Sequence, residues 1–138
     1  MKILVAHDGS EQADKALERA VNLALLAKGS VVVLSVVPDL CMMEISDDDC
    51  KRMYKIMTEE SEKKLNAMKD DLSKKGVEME AEVKFGNAAE IIVKTCNDRK
   101  VDMVVIGSHG RHGAKKFLLG SVSAKVVDHA SCDVLVVK

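Results

Sequence analysis

Five short runs rich in Val, Ile and Leu are separated by four longer stretches of helical periodicity, and this alternation dictates the architecture. The runs are Lys2–His7, Val31–Val37, Val77–Phe85, Met103–Gly107 and Asp133–Lys138, with the length and β-branched content of strands. Val31-Val32-Val33-Leu34 and Met103-Val104-Val105-Ile106 are unbroken apolar runs. Continuous hydrophobicity suits strands covered on both faces, as in a parallel sheet. The third run alternates instead. Val77, Met79, Ala81 and Val83 fall between Glu78, Glu80, Glu82 and Lys84, which places it half exposed, at an edge.

The intervening segments carry helix signals. Ser10 is the expected N-cap of a helix over about Glu11–Lys28, with an Ala- and Leu-rich stripe and Gly29 at its end. A second helix is expected from about Asp48 to Lys75, its stripe marked by Met53, Met57, Leu65, Met68 and Leu72. Asn87 with Glu90 resembles a capping box for a third, ending near Asn97. The fourth should run from near Ser121 to near Ala130. The order βαβαβαβαβ calls for a three-layer α/β fold, a five-stranded parallel sheet with helices on both faces.

The 138 residues contain no repeat, low-complexity tract or linker, so a single domain over residues 1–138 is expected. With 21 Lys and Arg against 22 Asp and Glu, no general attraction to nucleic acid or an acidic membrane follows. The aromatics are only Tyr54, Phe85 and Phe117, too few for a base-stacking platform. No apolar run approaches a membrane span or a signal-peptide core, so a soluble cytoplasmic protein is expected. Cys41, Cys50, Cys96 and Cys132 form no C-x-x-C pair and are expected to be reduced, structural thiols. Pro38–Asp49, with Cys41-Met42-Met43 beside Asp47-Asp48-Asp49, is expected to be a mobile loop leading into a helix start.

In open α/β sheets, ligands bind beyond the carboxyl ends of the strands. His7-Asp8-Gly9-Ser10 follows the first strand there, and the long segment Gly107–Ser123 follows the fourth. Gly107, Gly110, Gly113 and Gly120 permit positive φ and close approach of backbone to a ligand. Gly120-Ser121 opens a helix, whose free N–H groups attract an anion. Ser121 and Ser123 can add hydroxyl donors. From Met103 through Val127 there is no Asp or Glu, while Arg111, Lys115, Lys116 and Lys125 are present. Together these describe a phosphate cradle, set against the plainer reading of a loop that turns a corner. Neither the P-loop pattern nor a dinucleotide G-x-G-x-x-G after the first strand is present. His109-x-x-His112 has ligand-like spacing but no third ligand nearby in sequence, so no metal centre is assigned.

Gly107-x2-Gly110-x9-Gly120-Ser121 resembles the ATP-binding signature of the universal stress protein family. Lys2-Ile3-Leu4-Val5-Ala6-His7-Asp8-Gly9-Ser10 resembles that family's opening strand and turn, and Cys132-Asp133-Val134-Leu135-Val136-Val137 its closing strand. Asp133 departs from the proline often found there. The resemblance covers the whole chain and implies strand order 3-2-1-4-5, with the first and fourth strands adjacent. It implies that Asp8 and Gly107 sit near a ribose and that Val36 meets adenine through its backbone. It implies that Gly110, Gly120, Ser121, Val122 and Ser123 hold phosphates, with Arg111 neutralising their charge. The implied ligand is ATP, with AMP and ADP as alternatives. Mg²⁺ would arrive with it, reached from Asp8 through water. The implied assembly is a homodimer through the last strand. The implied role is a stress-response or regulatory module with little or no turnover. Two alternatives stay open: a slow ATPase or phosphate-transferring enzyme on the same scaffold, and a phosphoacceptor receiver domain. The receiver reading is disfavoured by the absence of Asp at Lys84-Phe85-Gly86.

Overall fold

The computed structural model describes residues 1–41, 44–110 and 118–138. Met42 and Met43 of the expected loop lie outside the described residues, as do Arg111, His112, Gly113, Lys115 and Lys116. The elements are β1 (Lys2–Ala6), α1 (Glu11–Ala27), β2 (Ser30–Val37), α2 (Asp47–Lys74), β3 (Glu78–Phe85), α3 (Ala88–Arg99), β4 (Met103–Gly107), α4 (Ser121–His129) and β5 (Asp133–Val137). All strand pairs are parallel and their order is β3-β2-β1-β4-β5, as the family resemblance implied.

The unbroken apolar runs are explained by two cores. The period-2 alternation of a strand sends Ile3, Val5, Val31, Val33 and Val105 to one face, against Ala16, Ala20 and Ala24 of α1 and Leu65 and Leu72 of α2. It sends Leu4, Val32, Leu34, Val104 and Ile106 to the other, against Ile92 and Cys96 of α3 and Val126 of α4. Ile3, Leu4, Val5, Val33, Val104 and Val105 are fully buried. Each such side chain contributes roughly 1.5–3 kcal/mol of transfer free energy. After β3 the chain returns beside β1 to form β4, so the direction of strand addition reverses between β1 and β4.

Side-chain caps fix three helix starts. Ser10 Oγ accepts from the Ala13 N–H, Ser46 Oγ from Asp49 and Asn87 Oδ1 from Glu90. The end of α1 differs in detail from expectation. Lys28 itself takes the left-handed conformation (φ 50), and Gly29 then donates its N–H to Ala24 O.

A second difference concerns the cysteines. Cys41 and Cys50 are joined in a disulfide, contrary to the expectation of four reduced thiols. The Ser46 cap folds the chain back so that their Cα atoms lie 5.6 Å apart, a bridging separation that sequence spacing does not reveal. Cys96 and Cys132 are thiols. Among the described residues, no helix is long and apolar enough to cross a membrane.

Candidate functional site

The β1–α1 turn is built by local hydrogen bonds. Gly9 takes φ 81, a conformation few side chains tolerate, and its N–H donates to His7 Nδ1 at 3.2 Å. In the neutral ring Nε2 therefore carries the hydrogen, and it faces Asp14 Oδ1 at 2.9 Å. His7 is buried, and its own N–H continues the β1–β2 ladder to Leu34 O. Asp8 is exposed at the end of this turn, its Oδ1 accepting from the Ser10 N–H at 2.9 Å.

The β4–α4 connection is closed at its base. Gly120 N–H donates to Ser108 O at 2.7 Å, and Ser123 Oγ donates to the same oxygen at 2.8 Å, with Gly120 O at 3.0 Å. Ser123 is buried, so its hydroxyl staples the loop to the helix start. Ser121, by contrast, is exposed. Gly120 is the N-cap of α4 and supplies no side-chain hydrogen bond, unlike the caps of the other three helices. No cap side chain therefore covers the first N–H groups of α4.

The glycines serve close approach here rather than positive φ. None of Gly107, Gly110 and Gly120 has positive φ. A Cβ on Gly107 would lie 2.8 Å from Gln12 Cβ, so this glycine lets β4 end directly against the first turn of α1. A Cβ on Gly110 would overlap the Asp8 carboxylate. A Cβ on Gly120 would crowd His109 Cα at 3.3 Å and Ser108 O at 3.4 Å. The β1 turn and the β4 loop therefore meet at atomic contact.

These pieces open onto one cleft of about 800 Å³ at the carboxyl edge of the sheet. Asp8, Val36, Gly107, Gly110, Gly120, Ser121, Val122 and Ser123 all line it. Arg111 lies outside the described residues. The cleft straddles the reversal point between β1 and β4, where ligands of such sheets bind.

A further wall comes from α2. Its 28 residues span about 42 Å, whereas the eight residues of β3 span about 26 Å. The surplus lies toward the carboxyl edge, where Met57, Glu60, Ser61 and Lys64 line the cleft. By sequence alone, Glu60 and Lys64 read as charges on a solvated helix face. Tyr54 on the same helix packs edge-on against Phe85, with ring centroids 4.9 Å apart, and its hydroxyl donates to the Asp39 carboxylate. That bond first, and the Cys41 N–H second, hold Asp39 below its usual carboxylate range, while the carboxylate pushes the Tyr54 hydroxyl up. Among the described residues, no group of three or more His, Cys, Asp or Glu is placed to hold a metal ion.

The same architecture recurs in known proteins. The chain is 33% identical over 140 residues to a Staphylococcus aureus protein named with the universal stress proteins, covering 99% of this chain and 82% of that one. The solved protein MJ0577 is 32% identical, with a TM-score of 0.89 over 99% of this chain and 94% of that one. The universal stress protein UspA of Lactobacillus plantarum superposes with a TM-score of 0.91 over 100% and 97% of the two chains; at 23% identity this speaks to fold alone. The same holds for an Archaeoglobus fulgidus universal stress protein solved in complex with dAMP, at 23% identity and a TM-score of 0.70 over 100% and 98%. The model of the universal stress protein family matches residues 1–138, and the chain belongs to that family.

Proposed function

We propose that this chain binds an adenine nucleotide, ATP foremost, in the cleft between the β1 turn and the β4–α4 connection, as a regulatory module with little or no turnover. The observation that carries the reading is the start of α4. Its cap is a glycine without a side-chain bond, and it opens onto the same cleft as Asp8. The N–H groups of a helix start and the helix dipole favour a phosphate there. Ser121 adds an exposed hydroxyl beside them.

In this reading Gly110, Gly120, Ser121 and Val122 offer backbone to the phosphates, and Ser123 keeps that backbone in shape. Asp8 and Gly107 flank the ribose, and Val36 meets the base. Arg111 supplies charge. A carboxylate such as Asp8 suits Mg²⁺ held mainly by phosphates and water, which is how that ion usually binds nucleotides. The volume of the cleft suits a nucleotide. Family membership and the dAMP complex of a protein with this fold support adenine as the base.

The same reading takes residues 1–138 as one cytoplasmic module that pairs as a homodimer through β5. That strand stands at the sheet edge, and an apolar edge needs a partner or a cover. Calorimetric titration with ATP, ADP and AMP in the presence of Mg²⁺ tests the function. Saturable heat with ATP is expected; no heat at millimolar concentrations of all three would contradict it.

A further inference from the structure

We propose that Cys41 and Cys50 are a reversible dithiol–disulfide site, which sets how firmly the end of β2 is held against α2. Its consequence for ligand affinity rests on the nucleotide reading above; the site itself does not.

The bridge joins two segments that form walls of the cleft. Val36, Val37 and Pro38 line it and lead directly to Cys41. Cys50 lies in α2, which contributes Met57, Ser61 and Lys64 farther along. Among the described residues, Tyr54 of α2 also ties these segments, its hydroxyl donating to the Asp39 carboxylate. Asp39 in turn accepts the Cys41 N–H at 3.1 Å, so both ties converge on one short stretch. The rest of α2 is anchored independently through Leu65 and Leu72. Opening the bridge would therefore loosen the cleft wall and leave the sheet intact.

The two sulfurs differ in access. Cys41 is exposed, whereas Cys50 is buried. Exchange enters at the accessible sulfur. In the forward direction the Cys41 thiolate attacks a low-molecular-weight disulfide and releases one thiolate of the oxidant. Cys50, deprotonated, then attacks the Cys41 sulfur of the mixed disulfide and releases the second. Two protein thiols and one small disulfide become one protein disulfide and two small thiols. A small dithiol reverses the step. Cys96 stays outside this chemistry: burial, with Cys132 beside it, pushes its thiol up to about 12, so little thiolate is present at neutral pH.

The test uses the full chain equilibrated with glutathione disulfide or with dithiothreitol. Alkylation and peptide mapping should find Cys41 linked to Cys50 after the first treatment and both alkylated after the second. Amide exchange of Val37–Cys41 without nucleotide should rise about tenfold on reduction in the parent, and be fast under both conditions in Cys41→Ser. ATP affinity should fall about fivefold on reduction in the parent and not respond to reductant in Cys41→Ser. Four alkylated cysteines after glutathione disulfide would overturn the site, as would exchange unchanged by reduction. ATP binding identical in the two redox states would overturn its coupling to the ligand. If neither form binds nucleotide, the nucleotide reading fails, while mapping and exchange still decide the redox site.

Discussion

The Asp8 carboxylate occupies the space that a side chain on Gly110 would need. The end of β1 and the loop after β4 are thereby held in register across the cleft. Gly110→Ala should force Asp8 or the loop to move and weaken nucleotide binding about tenfold. Asp8→Ala removes the obstruction. Thermal unfolding of the two single variants and the double variant should therefore be non-additive, with a coupling above about 0.5 kcal/mol. Additive effects would mean that the two segments do not meet.

Ser123 is placed to shape the loop. Its hydroxyl donates to Ser108 O, which also accepts from the Gly120 N–H. Ser123→Ala removes one buried hydrogen bond without orphaning that carbonyl, so the cost should be about 1 kcal/mol. For a chain of this length that lowers Tm by roughly 3–5 °C. A calorimetric scan checks it, and an unchanged Tm would show that the bond contributes nothing.

Cys96 gives a pH-dependent signature. Its thiol is raised from 9.0 to about 12 by burial first and by Cys132 second. Above about pH 9 the unfolded chain loses this proton while the folded chain keeps it. The contribution to stability is therefore full below pH 9 and is lost as pH rises toward 12. Urea midpoints should fall over that window, and less steeply in Cys96→Ala. An equal slope in both proteins would contradict the assignment.

The fold was legible because local signals and global pattern agree. Ser10 and Asn87 announce helix starts, and the runs Val31–Leu34 and Met103–Ile106 announce strands covered on both sides. The candidate site was legible where it is contiguous, since Asp8 and Gly107–Ser123 directly follow strands. Three features were not. Gly107 and Gly110 were read as conformationally permissive, yet what they meet, Gln12 and Asp8, depends on how the segments pack. Glu60, Ser61 and Lys64 join the cleft only because α2 outreaches β3, a tertiary relation hidden in a pattern of charges. The Cys41–Cys50 bridge depends on the turn that Ser46 closes.

The central claim is that the start of α4 receives the phosphates of an adenine nucleotide. Gly120→Val tests it most directly, because a branched side chain there would crowd His109 and Ser108 at the start of α4. Titrating ATP with Mg²⁺ into the parent chain and into this variant, with circular dichroism confirming an intact fold, gives the decisive comparison. The parent should bind saturably and the variant at least tenfold more weakly. Equal affinity in a folded variant, or no binding by the parent, would contradict the account.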